Sequence, residues 1–111
     1  LAKAATLASE VKIMSETSES ALKGEELHRQ VGNLEGWTLA GEQRLEKEYR
    51  FPDFREALAY VNRLGEVAER KGHHPDIFLT WGQVKVTLWT HSAGGVTAKD
   101  VALAAEADKA R

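Results

Sequence analysis

The chain has 111 residues, 42% hydrophobic and 29% charged, with a net charge of -2 and no cysteine. That is room for one compact domain with one modest core. Interleaved acids and bases argue against a phosphate-tracking surface and direct nucleic-acid binding, no apolar run reaches the length of a membrane span, and the missing cysteines remove disulfides, thiolate nucleophiles and cysteine-held zinc.

Residues 1–23 are rich in Ala, Ser, Thr and Glu. Lys3, Ser9, Glu10 and Lys12 break their apolar runs, so no secretory core is present, and Glu10, Glu16 and Glu19 argue against a transit peptide. Met14 is a candidate natural start. The segment reads as a mobile N-terminal arm, followed by a single domain over 24–111. A reducing compartment is compatible with the lack of cysteine, and a cytoplasmic location is expected.

From about Gly24 to Leu34 the recurrence of Leu27, Val31 and Leu34 predicts a helix with one apolar face, and Gly36 is a plausible stop. Trp37 to Ala40 reads as a short strand and Gly41 as a turn. Over Arg44 to Phe51, Leu45, Tyr49 and Phe51 alternate with Arg44, Glu46, Glu48 and Arg50, as in a sheet with one wet side. Lys47 falls on the apolar face against that pattern. Asp53 and Glu56 have capping-box spacing and open the clearest helix, whose apolar face is predicted to comprise Phe54, Ala57, Leu58, Val61, Leu64, Gly65 and Ala68. Gly72 should stop it just after Lys71.

Two further strands, Asp76 to Trp81 and Gln83 to Thr90, turn near Gly82. Val84, Val86 and Leu88 form one face of the second. Trp89 falls on the other, where it either covers a partner or lies across the outer face of the sheet. Thr97 and Asp100 have capping-box spacing at the start of a last, alanine-rich helix. The order α-β-β-α-β-β-α predicts a two-layer α+β domain: a four-stranded antiparallel sheet with helices packed on one face.

Three of the four histidines lie at the ends of these elements. His73 and His74 follow the long helix and precede Pro75, which biases His74 toward extended backbone. His91 follows the fourth strand, ahead of Gly94-Gly95. If the last two strands form a hairpin, its open ends bring His73, His74 and His91 to one edge. Histidine titrates nearest neutral pH, so such a cluster with Glu69 and Asp100 nearby is suited to moving protons. Each residue also has a plainer explanation: a solvated loop histidine, a surface Glu69, an Asp100 that only caps its helix. His28 reads as simply exposed. Zinc is disfavoured because adjacent side chains in extended backbone point to opposite faces, and His-x-His and His-x-x-x-His spacings are absent.

Glu69-Arg70-Lys71-Gly72-His73-His74-Pro75-Asp76 and Thr90-His91-Ser92-Ala93-Gly94-Gly95-Val96-Thr97-Ala98-Lys99-Asp100, with Phe51-Pro52-Asp53-Phe54 and Gly36-Trp37, resemble the pterin-4a-carbinolamine dehydratases over about Gly24 to Ala107. The resemblance implies the same α+β fold and dehydration of 4a-hydroxytetrahydrobiopterin to quinonoid dihydrobiopterin, which recycles the cofactor of aromatic amino acid hydroxylases. It implies no metal and no organic cofactor. It places the essential histidines at His73, His74 and His91, supported by Glu69 and Asp100, and the pterin pocket at His73, His74, Pro75, Thr90, His91, Ser92 and Ala93. It also implies a homodimer or homotetramer. Some relatives bind a homeodomain transcription factor or serve as assembly factors, so a protein-binding role is the alternative. Ile77 departs from the aromatic residue that many members carry there.

Overall fold

A computed structural model describes residues 20–111. The arm expected over 1–23 therefore lies, up to residue 19, outside the described residues. At its end, the Leu22 N–H donates to the Val96 carbonyl at 2.7 Å, and the Leu22 side chain packs against the core.

Helix α1 (Gly24–Gly32) buries Leu27 and Val31. Strands β1 (Thr38–Ala40) and β2 (Arg44–Arg50) follow, then helix α2 (Phe54–Lys71). Strands β3 (Asp76–Thr80) and β4 (Gln83–Leu88) lead through a single 3₁₀ turn (His91–Ala93) into helix α3 (Ala98–Ala110). The four strands form one antiparallel sheet in the order β1-β2-β4-β3. The predicted fold class and element order hold, with α1 ending two residues early, β1 starting one residue late, β2 and β3 each ending one residue early and β4 two. Among the described residues no helix is long and apolar enough to cross a membrane.

Alternation decides which face of the sheet is buried. Leu45 and Tyr49 on β2 stand opposite Leu88 and Val84 on β4, while Ile77 and Leu79 on β3 stand opposite Val86 and Val84. Against this face pack Ala57, Tyr60, Leu64, Val67 and Ala68 of α2 and Leu103, Ala104 and Ala107 of α3. The apolar face predicted for α2 is thus rotated. Phe54 and Leu58 are exposed, and Tyr60 and Val67 take the inward positions. Only about a hundred degrees of a helix's circumference can face one sheet, and an apolar set wider than that leaves its rim in solvent.

Lys47 does lie on the buried face, and the chain provides for it there. Its Nζ bonds Asp108 Oδ1 at 2.8 Å and the Glu35 carbonyl at 2.9 Å. The same carboxylate accepts from Tyr49 Oη at 2.5 Å and from Trp37 Nε1 at 3.3 Å. Burial, then the bond to Asp108, raise the Tyr49 phenol above its ordinary pKa. Burial pushes Tyr60 up to about 12. Gly36, at φ 82°, gives Lys47 its path, since a Cβ there would sit 2.9 Å from Lys47 Cε.

Candidate active site

Two loops meet at the open end of the β3–β4 hairpin, and local chemistry sets the course of each. Asp53 accepts from the Glu56 N–H at 2.9 Å to start α2, which is the Asp53 half of the predicted capping box. At the end of this eighteen-residue helix Gly72 adopts the left-handed conformation, φ 65°, that glycine enters without a Cβ penalty. The His73 N–H then closes back on the Ala68 carbonyl at 3.2 Å. This hook turns the chain from helix to strand and points His73 inward. In the other loop, Thr90 pairs with Gly95 as an antiparallel bridge. Gly94, at φ 69°, donates to the Thr90 and His91 carbonyls. Thr90 is thereby buried while His91 and Ser92 stay exposed and Ala93 half-buried.

Asp100 joins the two loops. Its side chain is fully buried, and its Oδ1 lies 2.6 Å from His73 Nε2. Its Oδ2 accepts from the Thr97 N–H at 2.9 Å, completing the predicted capping box, and from the Thr90 hydroxyl at 2.8 Å. The Thr97 and Thr90 hydroxyls are 2.9 Å apart, and Thr97 Oγ1 accepts from the Lys99 N–H at 3.2 Å. Each donor needs an acceptor, and one proton order satisfies the set: Lys99 N–H to Thr97, Thr97 O–H to Thr90, Thr90 O–H to Asp100. An ionised Asp100 then requires a proton on His73 Nε2. The network so assigns the tautomer of neutral His73 and leaves Nδ1 as its free base. Asp100 is thus both helix cap and hydrogen-bond partner of His73.

His74 and Glu69 pair with each other, Nε2 to Oε2, in solvent. Pro75 between His74 and β3 is half-buried. An open groove of about 880 Å³, lined among others by Val61, Gly65, Glu69 and Ile77, runs along α2 and reaches Glu69. His91 stacks on Trp89, with ring centroids 3.8 Å apart. His28 is exposed, 3.9 Å from Glu42. Of the residues singled out in the sequence, direct bonds therefore unite His73, Thr90 and Asp100. A second contact joins Glu69 to His74, and a third joins His91 to Trp89. The hydroxyl link of Thr97 to Thr90 and the contact of Trp89 were not read from the sequence. The capping-box spacing held the signal for Thr97. For Trp89 the only signal was an aromatic side chain on the wet face of β4.

A family model described as pterin 4 alpha carbinolamine dehydratase matches residues 20–110. A Rubrobacter xylanophilus protein provisionally named as pterin-4-alpha-carbinolamine dehydratase is 48% identical over 88 residues, 79% of this chain and 82% of that protein. One of the same provisional name from Trichormus variabilis is 52% identical over 80 residues, 72% of this chain and 85% of its own. Among solved structures, a transcriptional coactivator/pterin dehydratase from Brucella melitensis superposes with a TM-score of 0.78 at 30% identity, covering 82% of this chain and 98% of that one. A pterin dehydratase-like protein identified as a RuBisCO assembly factor in the alpha-carboxysome superposes at 0.58 with 25% identity, covering 68% and 88%.

Proposed function

Because the chain belongs to the pterin-4-alpha-carbinolamine dehydratase family, we propose that it eliminates water from 4a-hydroxytetrahydrobiopterin, giving the quinonoid dihydropterin that aromatic amino acid hydroxylases need reduced and returned. The observation that carries this reading is the part-buried His73–Asp100 pair at 2.6 Å, cross-tied to the loop that bears His91 through Thr90.

In the reaction the C4a–O bond breaks and its electron pair leaves with oxygen, which takes a proton to depart as water. The N5 lone pair forms the C4a=N5 bond, and the N5 proton goes to a base. No net oxidation occurs, so an acid and a base suffice, and well-placed ones contribute about 10²–10⁴-fold. His73 and His91 exchange these protons. His73 is suited to collect one through Nδ1, since Asp100 behind the ring offsets the charge that the imidazole gains. His74, braced by Glu69, holds the 4a-hydroxyl or the ring, and Pro75, Ser92 and Ala93 line the pterin. A cytoplasmic homodimer or homotetramer fits this reading. The test is the decay of freshly generated 4a-hydroxytetrahydropterin with and without purified protein. Acceleration that is lost in His73→Ala or His91→Ala and kept in His28→Ala supports it. No acceleration over the spontaneous rate removes it.

A protein-binding role is the second reading. The exposed Phe54 and Leu58 on α2, Phe78 on the edge strand β3 and Trp81 in the turn after it favour it, as do the coactivator and assembly-factor roles for which the structural relatives are named. Partner capture that survives replacement of His73, His74 and His91 would locate that role on a separate surface.

A further inference from the structure

Trp89 is out of place if it only covers the sheet. It is half-buried, and three side chains hold it. Its Nε1–H donates to Asp76 Oδ2 at 3.1 Å. Its ring meets the His91 imidazole at 3.8 Å between centroids with 31° between planes. The Arg44 guanidinium stands 4.4 Å from the indole centroid. The strand register explains the gathering. Asp76 opposes Thr87, two residues before Trp89, and Leu45 opposes Leu88, so β3 and β2 bring Asp76 and Arg44 to either side of the indole on the face that alternates away from Val84, Val86 and Leu88.

We propose that Trp89 is a positioning residue for the reaction, clamping the imidazole of His91 to the His73–Asp76 segment through its hydrogen bond to Asp76. Asp100 ties the two loops together on the buried side, from His73 to Thr90. Trp89 ties the same loops on the opposite face, from Asp76 to His91. The need for the second tie lies in the exposure of His91. Among the described residues no hydrogen bond to its side chain fixes this exposed ring on its short 3₁₀ turn, and an aromatic stack is the contact that limits its rotation. Acid–base transfer is sensitive to such freedom: a misplacement near 1 Å costs about 10²-fold.

The kinetic arm rests on the dehydratase reading; the spectroscopic arm does not. The chain has four histidines, so imidazole ring protons can be assigned by single substitutions. A ring current should displace the His91 resonances, from the indole in the wild type and from the phenyl ring in Trp89→Phe, and Trp89→Leu should return them toward free-histidine positions. In turnover, Trp89→Leu should lower kcat roughly 10- to 100-fold with little change in KM, and Trp89→Phe, which keeps an aromatic stack but not the bond to Asp76, should recover part of that loss. Asp76→Ala, which leaves the indole in place and untethered, should likewise fall between Trp89→Leu and the wild type and serves if Trp89→Leu does not fold. His91 resonances unmoved in Trp89→Leu would overturn the clamp. So would a loss expressed in KM with kcat intact, which would mean that Trp89 touches the pterin itself. A wild-type protein inert toward the 4a-hydroxypterin would sink the dehydratase reading, and the ring-proton shifts would then decide the clamp alone.

Discussion

Replacing Asp100 by Asn tests the buried half of the site without opening a cavity. The carboxylate accepts at 2.8 Å from Thr90 and 2.9 Å from the Thr97 N–H, and meets His73 Nε2 at 2.6 Å. In Asp100→Asn the amide oxygen keeps Thr90 and the helix cap, but the NH₂ now faces an Nε2 that already carries a proton. His73 must move that proton to Nδ1 so that Nε2 can accept, or lose the bond. A hydrogen bond with a charged partner contributes about 1.5–3 kcal/mol, so a loss near 2 kcal/mol is expected. At roughly 4–8 °C per kcal/mol for a domain of this size, the melting temperature should fall by about 10 °C. Turnover should suffer more than stability, because the tautomer shift removes the base from the substrate side, at a cost of about 10²–10⁴-fold. Asp100→Ala strands three buried donors at about 1–3 kcal/mol each and should approach global unfolding. Melting curves and initial dehydration rates read both effects. A folded Asp100→Asn protein that turns over within a factor of about two of wild type would refute the assigned tautomer and the role drawn from it.

The chain has two tyrosines, both buried and both raised, Tyr60 to about 12 and Tyr49 further. Above pH ~10 the unfolded chain releases these protons while the folded one keeps them, so stability falls as pH rises, by about 1.4 kcal/mol per pH unit for each phenol. That contribution is complete below pH ~10 and is lost through the native values. Absorbance at 295 nm should therefore show no phenolate in the native protein at pH 10.5, and ionisation there in folded protein would contradict the burial. Asp108→Ala removes the acceptor shared by Lys47, Tyr49 and Trp37 and leaves Lys47 the Glu35 carbonyl, so denaturant titration should show a loss of about 2–3 kcal/mol with kcat unchanged. A cost below ~0.5 kcal/mol would mean that water replaces the carboxylate. Gly36→Ala should also destabilise the fold, by about 1–2 kcal/mol, through its left-handed φ of 82° and the displaced Lys47 stem. An unchanged melting temperature would show that the stem moves freely.

Those same residues show what a one-dimensional pattern can carry. The alternation of β2, the Asp53 cap, the Gly72 stop and the Thr97–Asp100 box are encoded within a few residues of one another, and all were readable. Lys47 seemed an error in its strand because its partner Asp108 lies 61 positions away. Phe54 and Leu58 fit the helical period of α2 but stand at the rim of its apolar arc, and only the direction of the sheet decides which rim is covered. At the site, the two loops could be assigned to one end of a hairpin from strand order alone. That Asp100 reaches back to His73 while Trp89 reaches across to Asp76 depends on the register of three strands and the seat of α3, which no local spacing records.

The imidazole spectrum, followed while an unreactive dihydropterin lacking the 4a-hydroxyl is titrated in, examines the shared site most directly. Resonances of His73 and His91 should move together along one saturation curve with a single Kd, and His28 should stay still. Shifts confined to one of the two loops, or two curves with different midpoints, would mean that these histidines do not serve one substrate.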